Sequence, residues 1–492
     1  MGLFKKRILQ SKLLPVMNSM LWKNIEEFDL DAPLSEYGFS TRLINENYWT
    51  TDFAHTAIIE YKKFMYLAAV SAEMVSPSPI VDIVWHQHLV FTHSYDKFCE
   101  ILGKKIAHVP STHNKADFKN FFQAKQRTQK LYLEYFGVQP IEFWEHATIY
   151  DSLSLPKAKL SVPIILIMGI LAFLPFTAGA YYILKAIYTR IDNPYFLMGY
   201  SLFMLISFIV LEVYNRNKLS YLIDSLDKHT FIFNLSAFEL LFLRRNKLSE
   251  VIHGLVNQLI SKHQIKISSN KQLRINDLDG LINNTTDTIN SDLELCVLET
   301  IRSHKKMDYD VLTRQLISKP AFNKIAHTIN NFKKYFTRSR FYTRMFVINF
   351  TVLSIGLSLG TVRLLTGYFR EKPIIILVIV LITYSTLAIA YLRRLNSLIG
   401  TLTLPQYYEA HIVVEKLEQE LWEWKYYYLG SAVFVGTFIP LISSVQNSKN
   451  NSWFGDSGSS GDSSGDAGSS GDSGCGSSGC GSSCGGCGGG GD

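Results

Sequence analysis

The sequence is short of the residues that mark the common enzyme classes. Outside its Gly/Ser-rich tail it has no Walker loop, no GxSxG and no HExxH, which argues against the usual ATPases, hydrolases and metalloproteases. Charge is scarce as well: Asp, Glu, Lys and Arg make up 18% of 492 residues, against 47% hydrophobic. That balance excludes a generally disordered chain. Of only six cysteines, four (Cys475, Cys480, Cys484 and Cys487) fall after Gly455, in a stretch of Gly, Ser and Asp without Lys or Arg. They lack the aromatic and apolar neighbours a core needs, so disulfides, metal binding and modification all stay open. Residues 449–492 are expected to form a disordered tail.

What the chain has in excess is uncharged length. Twenty-five residues without charge lie between Lys159 and Lys185, and 19 between Asp192 and Glu212. Two more runs cover 345–362 and 373–392. Each is close to the roughly 20 residues that cross about 30 Å of hydrocarbon as a helix. None shows the polar residue every third or fourth position that an amphipathic core helix would. They pair into transmembrane hairpins at 160–214 and 345–392. A fifth run, 426–448, is interrupted by Gly430, Gly436 and Pro440. It is a candidate fifth transmembrane segment or a re-entrant one; if it spans, the tail lies on the far side.

Between the hairpins, residues 215–344 hold 21 Lys and Arg against 12 Asp and Glu. Arg216 and Lys218 follow one run, Arg393 and Arg394 another, and Lys333, Lys334, Arg338, Arg340 and Arg344 precede a third. Cytoplasmic flanks carry such an excess, so this segment is expected to be a basic, mostly helical cytoplasmic domain, with 393–425 a cytoplasmic helix. Its juxtamembrane cations suit anionic lipid headgroups. A helix–helix–strand outline around 237–275 is also what a winged-helix-like module would give, but lipid explains the charge without nucleic acid. The opening MGLFKKR has no apolar stretch after its lysines, and Lys6 misses the myristoylation pattern. A multi-pass protein of the inner (plasma) membrane with a cytoplasmic N-terminus is therefore expected.

Residues 1–155 read as a helical cytoplasmic domain. Ser78 and Pro79 open a helix well. A helix running on from there places Asp82, His86 and His93 within about 40° of one another, with His88 on another face. His108 follows after the helix ends near Gly103. Asp82, His86, His93 and His108 could hold zinc or another divalent ion, although the spacing fits no standard zinc template. The same groups also suit hydrogen bonding within a helical core, with Asp82 fixing the tautomer of His86. Cys99 reads as a small buried residue.

Residues 50–148 resemble the glycine-rich domain-containing protein-like family of plants and bacteria. The likeness rests on Asp82, Trp85, His86, His88, Tyr95, Cys99, His108, Pro110, Tyr132 or Tyr135, Phe136, Gly137 and Trp144. It implies no particular enzymatic chemistry. Residues 160–490 resemble an uncharacterised bacterial membrane-protein family with a Gly/Cys-rich tail. That likeness is carried by Glu239, Leu240 and Leu243 and by Arg363, Gly367, Arg370 and Pro373, although the tail here is richer in Ser and Asp.

The leading expectation is a mostly α integral membrane protein without catalysis, serving as an anchor or interaction platform for a protein partner. The alternative is a metal-dependent enzyme or sensor built on the Asp/His cluster. A small-solute transporter is the third reading. It is disfavoured because the spans carry no Asp/Glu/His series, and Arg363 is expected to snorkel to the interface.

Overall fold

The four long uncharged runs become the four longest helices of the apolar part of the chain. A computed structural model describes residues 19–109, 115–268, 270–276 and 291–443. The tail and its four cysteines lie outside the described residues. The protein is mostly helical. Helices α1 (Ser19–Glu27), α2 (Phe39–Asn47), α3 (Thr51–Val70), α4 (Pro79–Val90), α5 (Thr92–Leu102) and α6 (Lys115–Phe136) come first. The first apolar hairpin is α7 (Val162–Tyr188) and α8 (Asn193–Ser225). Then follow α9 (Ala237–Arg245), α10 (Leu248–Ser261), β1 (Ile265–Ile267), β2 (Gln272–Ile275), α11 (Asp292–His304), β3 (Met307–Asp308), α12 (Tyr309–Ile317) and α13 (Pro320–Thr337). The second hairpin is α14 (Arg340–Tyr368) and α15 (Ile375–Leu395), followed by α16 (Leu404–His411) and α17 (Trp422–Leu429). The strands form one antiparallel sheet in the order β1-β2-β3.

Helices α7, α8, α14 and α15 are long and apolar enough to cross a membrane. They pack together around α14, where glycine lets tyrosine approach the backbone. A Cβ at Gly356 would lie 2.4 Å from the Tyr384 hydroxyl oxygen, and one at Gly360 2.4 Å from that of Tyr200. Those hydroxyls donate to the carbonyls of Leu353 and Gly356, each at 2.9 Å. Gly356→Ala is therefore expected to cost about 1–3 kcal/mol. Adding Tyr384→Phe, which removes the clashing oxygen, should recover part of it in a double-mutant cycle of thermal stability in detergent.

Polar groups inside the bundle partner one another. Asn215 and Asn349 exchange amide hydrogen bonds at 2.9 and 2.8 Å, and Asn215 also donates to the Tyr391 hydroxyl at 2.9 Å. Arg363 reaches toward the turn of the first hairpin. It is buried and donates to the carbonyls of Tyr188 and Ile191 and to Asn193 Oδ1, with its guanidinium 4.9 Å from the Phe196 ring centroid. The carbonyls left free where α7 ends give this cation a better solvent than the interface would.

The candidate fifth span is not a long helix. Within 426–443 the chain runs through the end of α17, a 3-10 turn and a few further turns, and Tyr426, Tyr427, Phe438 and Leu441 are buried against the body beside the bundle. Asn257 of α10 holds it, accepting from Val435 N at 2.8 Å. The Tyr426 ring lies over Gly254, where a Cβ would come within 2.4 Å. Gly430, at φ 60° and ψ −134°, takes a conformation that a side chain would strain, and it turns the chain back.

The N-terminal region and the segment between the hairpins share one continuous core, running from Ile25 to Ile442. Polar ties reinforce it. Thr328 donates to the Trp49 carbonyl at 2.7 Å, Thr41 to Asp292 at 2.6 Å, and buried Lys324 pairs with Asp292. Where the chain approaches the two hairpins, Ala158 N donates to Arg338 O at 2.9 Å and Arg340 N to Pro156 O at 2.7 Å. The body therefore sits at one end of the apolar bundle. Around that end Lys334, Arg338, Arg340 and Arg344 are exposed, while Lys333 is half-buried over the Phe242 ring and donates to Asn246.

Candidate metal centre

Ser78 caps α4, accepting from Val81 N at 3.1 Å, with Pro79 in the first turn. This fixes Asp82 and His86 one turn apart. The Asp82 carboxylate lies 3.3 Å from Nδ1 of His86, which also faces the Asp82 carbonyl at 2.8 Å. His108 arrives from the segment after α5, which stops at Gly103 with φ +73°. Its Nε2 is 3.0 Å from Asp82 Oδ1. A carboxylate oxygen of Asp82 and one ring nitrogen from each of His86 and His108 all lie within 4.8 Å of one another.

His93, the remaining predicted ligand, is not part of this group. The helix breaks at Phe91, whose φ −88° and ψ 61° are not helical, and α5 starts afresh at Thr92. Extending α4's 100° per residue through that break put His93 on the wrong face. Its side chain is exposed.

Residues with no ligand role set the site's shape. Trp85 Nε1 donates to the Tyr95 hydroxyl at 3.2 Å, and Tyr95 in turn donates to the Ile106 carbonyl. This relay pins the strand-like segment that carries His108. The Trp85 ring stands edge-on to His108, centroids 4.6 Å apart, and closes one side. His86 leaves the other side open, with 53% of its side chain exposed against 16% for His108. Tyr95 was legible only as a family marker, because a hydroxyl-to-carbonyl relay leaves no spacing pattern.

His88 faces the core. It is fully buried, with Nδ1 2.7 Å from the Tyr61 hydroxyl and Nε2 3.2 Å from Ser94 Oγ, among the rings of Phe28, Phe39 and Phe98. Burial pushes its pKa down to about 4. A base depressed in the fold stabilises the fold fully above its unfolded pKa near 6.5, and that contribution is lost as pH falls toward 4. The loss is on the order of 3 kcal/mol, and His88→Gln should flatten unfolding stability against pH across this window. An unchanged slope would assign the effect elsewhere.

Glu60 anchors the other side of this region. It is buried and accepts from the Tyr132 hydroxyl, Trp144 Nε1 and Lys63 at 2.7, 2.7 and 2.8 Å. Cys99 is buried, as expected. Compared with known protein families, curated proteins and solved structures, the chain shows no match. Function is therefore read from the geometry.

The donor set suits a first-row divalent ion. A tetrahedral ion with bonds of about 2.0–2.2 Å needs ligand atoms roughly 3.4 Å apart. Asp82 Oδ1 stands 3.0 Å from His108 and Asp82 Oδ2 3.3 Å from His86, and one atom from each of the three residues lies within 4.8 Å of the others. Three protein ligands leave a coordination position for solvent or substrate, as catalytic and sensing sites do.

Proposed function

We propose that this is an integral membrane protein whose cytoplasmic body carries a solvent-accessible divalent-metal site at Asp82, His86 and His108. The observation that carries the reading is the approach of two imidazoles and one carboxylate from two segments, α4 and the stretch after α5, open on the His86 side. Zinc fits the donors, and Fe(II) fits a two-His, one-carboxylate set equally. Among the described residues no further titratable ligand joins the group, so the ion's remaining positions are assigned to solvent or a small substrate. That makes the protein a membrane-held metal-dependent enzyme or metal sensor.

Orientation follows from charge. The body adjoins the bundle end where Arg216, Lys218, Arg393 and Arg394 lie with the exposed cations of 334–344, so this end is cytoplasmic, in a plasma membrane with anionic lipid. Because 426–443 folds onto the body, that segment lies on the same side. The anchor or platform reading is retained for the four-helix bundle itself. The transporter reading finds no support there, since the buried amides and hydroxyls named above already have partners inside the bundle.

Metal analysis of the full chain, purified in detergent without chelator, tests the proposal. About one equivalent of a single divalent metal is expected in the native protein and in His93→Ala, and a small fraction of that in Asp82→Asn. Equal metal in all three would overturn the assignment.

A further inference from the structure

We infer that a second site, independent of the metal centre, binds a compact, multiply phosphorylated anion. It is a cavity of about 570 Å³ between the small sheet and the end of α11. Five cations line it: Lys266 of β1, Arg274 of β2, Arg302 of α11, and Lys305 and Lys306 of the turn that follows. Asn276 adds a neutral hydrogen-bonding group. Among the described residues, none of the five makes an ion pair, and all five are exposed.

Two local features are unfavourable in themselves. Lys266 and Arg274 face each other directly across the β1–β2 ladder, and like charges so placed repel. Lys305 stands at φ 60° and ψ −45°, with Lys306 N donating to His304 O at 2.6 Å. This is a γ-turn of the strained hand at a residue with a side chain. The carbonyl end of α11 accounts for Arg302, since cations are favoured there. It does not account for the pair on the sheet.

The shape and lining identify the ligand class. Arginine and lysine together suit phosphate oxygens, Arg by its two-pronged fork and Lys as a point charge. The volume is that of a small-molecule site. Among the described residues no aromatic side chain lines the cup, and Ile275 is its one apolar residue. Bases of a nucleic acid or a nucleotide would meet no aromatic face to stack on. A clustered phosphate, free or as a lipid headgroup, is what remains.

The test titrates the full chain, in phosphatidylcholine nanodiscs, with inorganic triphosphate by calorimetry. Binding should weaken about tenfold or more in Arg274→Glu and in Lys305→Gly. The second variant also suits the positive φ, so loss of folding would not explain it. Lys119→Glu, an exposed charge on α6, should bind as the native chain does. Cardiolipin added to the nanodiscs separates the two sources. A lipid headgroup in the cup would compete with triphosphate in the native chain and not in Arg274→Glu, whereas a soluble ligand would be indifferent to it. Either outcome supports the cup. The proposal is overturned if the native chain binds no triphosphate, or if both variants bind it as tightly. It is also overturned if binding appears only after Asp277, Asp279 and Asp287 are all changed to Asn. Tighter, Arg274-dependent binding of a single-stranded oligonucleotide would replace it with a nucleic-acid surface.

Discussion

Glu239→Ala is expected to loosen the starts of two helices at once and to cost roughly 3–5 kcal/mol. The Glu239 side chain is buried, yet every partner it has is a donor. Its Oε1 accepts from Thr51 N and Oγ1 at 2.8 and 3.1 Å, and its Oε2 from Ser236 N and Oγ, both at 2.8 Å. Thr51 is the first residue of α3 and Ser236 is the N-cap of α9. Two helix N-termini thus converge on one carboxylate, and their dipoles supply the positive potential that no nearby cation does. Burial pushes the carboxyl's pKa up while these donors pull it down. Removing the side chain leaves buried donors unpaired at both helices. Amide hydrogen exchange is the fitting readout, with protection expected to fall in the first turns of α3 and α9 together. Loss confined to α9, or a cost below about 1 kcal/mol, would mean the carboxylate does not join the two regions.

The second large effect concerns the metal. A divalent ion at 100 times its dissociation constant should stabilise the body by about 2.7 kcal/mol, seen as a rise in melting temperature that a chelator reverses. His108→Ala removes one of three ligands and also empties the space against Trp85, so the stabilisation should vanish at the same metal concentration. His93→Ala should keep it, because that side chain lies beyond the break at Phe91. Tyr95→Phe should keep all three ligands but free the segment carrying His108, weakening the metal about 10–100-fold as loss of an orienting contact does. Equal stabilisation of the native chain and His108→Ala would count against the site.

The sequence made the bundle legible because bilayer thickness imposes a length, and runs of 18–25 uncharged residues meet it. It misplaced helix ends for the same reason. Glu212 marks where charge resumes, but α8 continues to Ser225 because nothing near Glu212 breaks a helix. The run at 426–448 shows the limit of the criterion: over 426–443 its apolar residues are consumed by packing on α10, through contacts across 176 and 178 residues that no local pattern reports. The unity of the body was hidden in the same way, since Thr51 and Glu239 are 188 residues apart. At the site, Asp82 and His86 were legible as a one-turn pair and His108 as a nearby donor. His93 was included because helical phase was carried past a break that Phe91 does not announce. The five cations of the cup gave only a net charge until the strand register set two of them face to face.

The most direct test of the metal centre is X-ray absorption at the metal edge, on the full chain purified with its own metal. A first shell of nitrogen and oxygen only is predicted, at about 2.0–2.2 Å, fitted by two imidazoles, one carboxylate and solvent. The two-imidazole signature should be absent in Asp82→Asn. A sulfur shell near 2.3 Å would contradict the account, because it would move the metal to the cysteines of the tail.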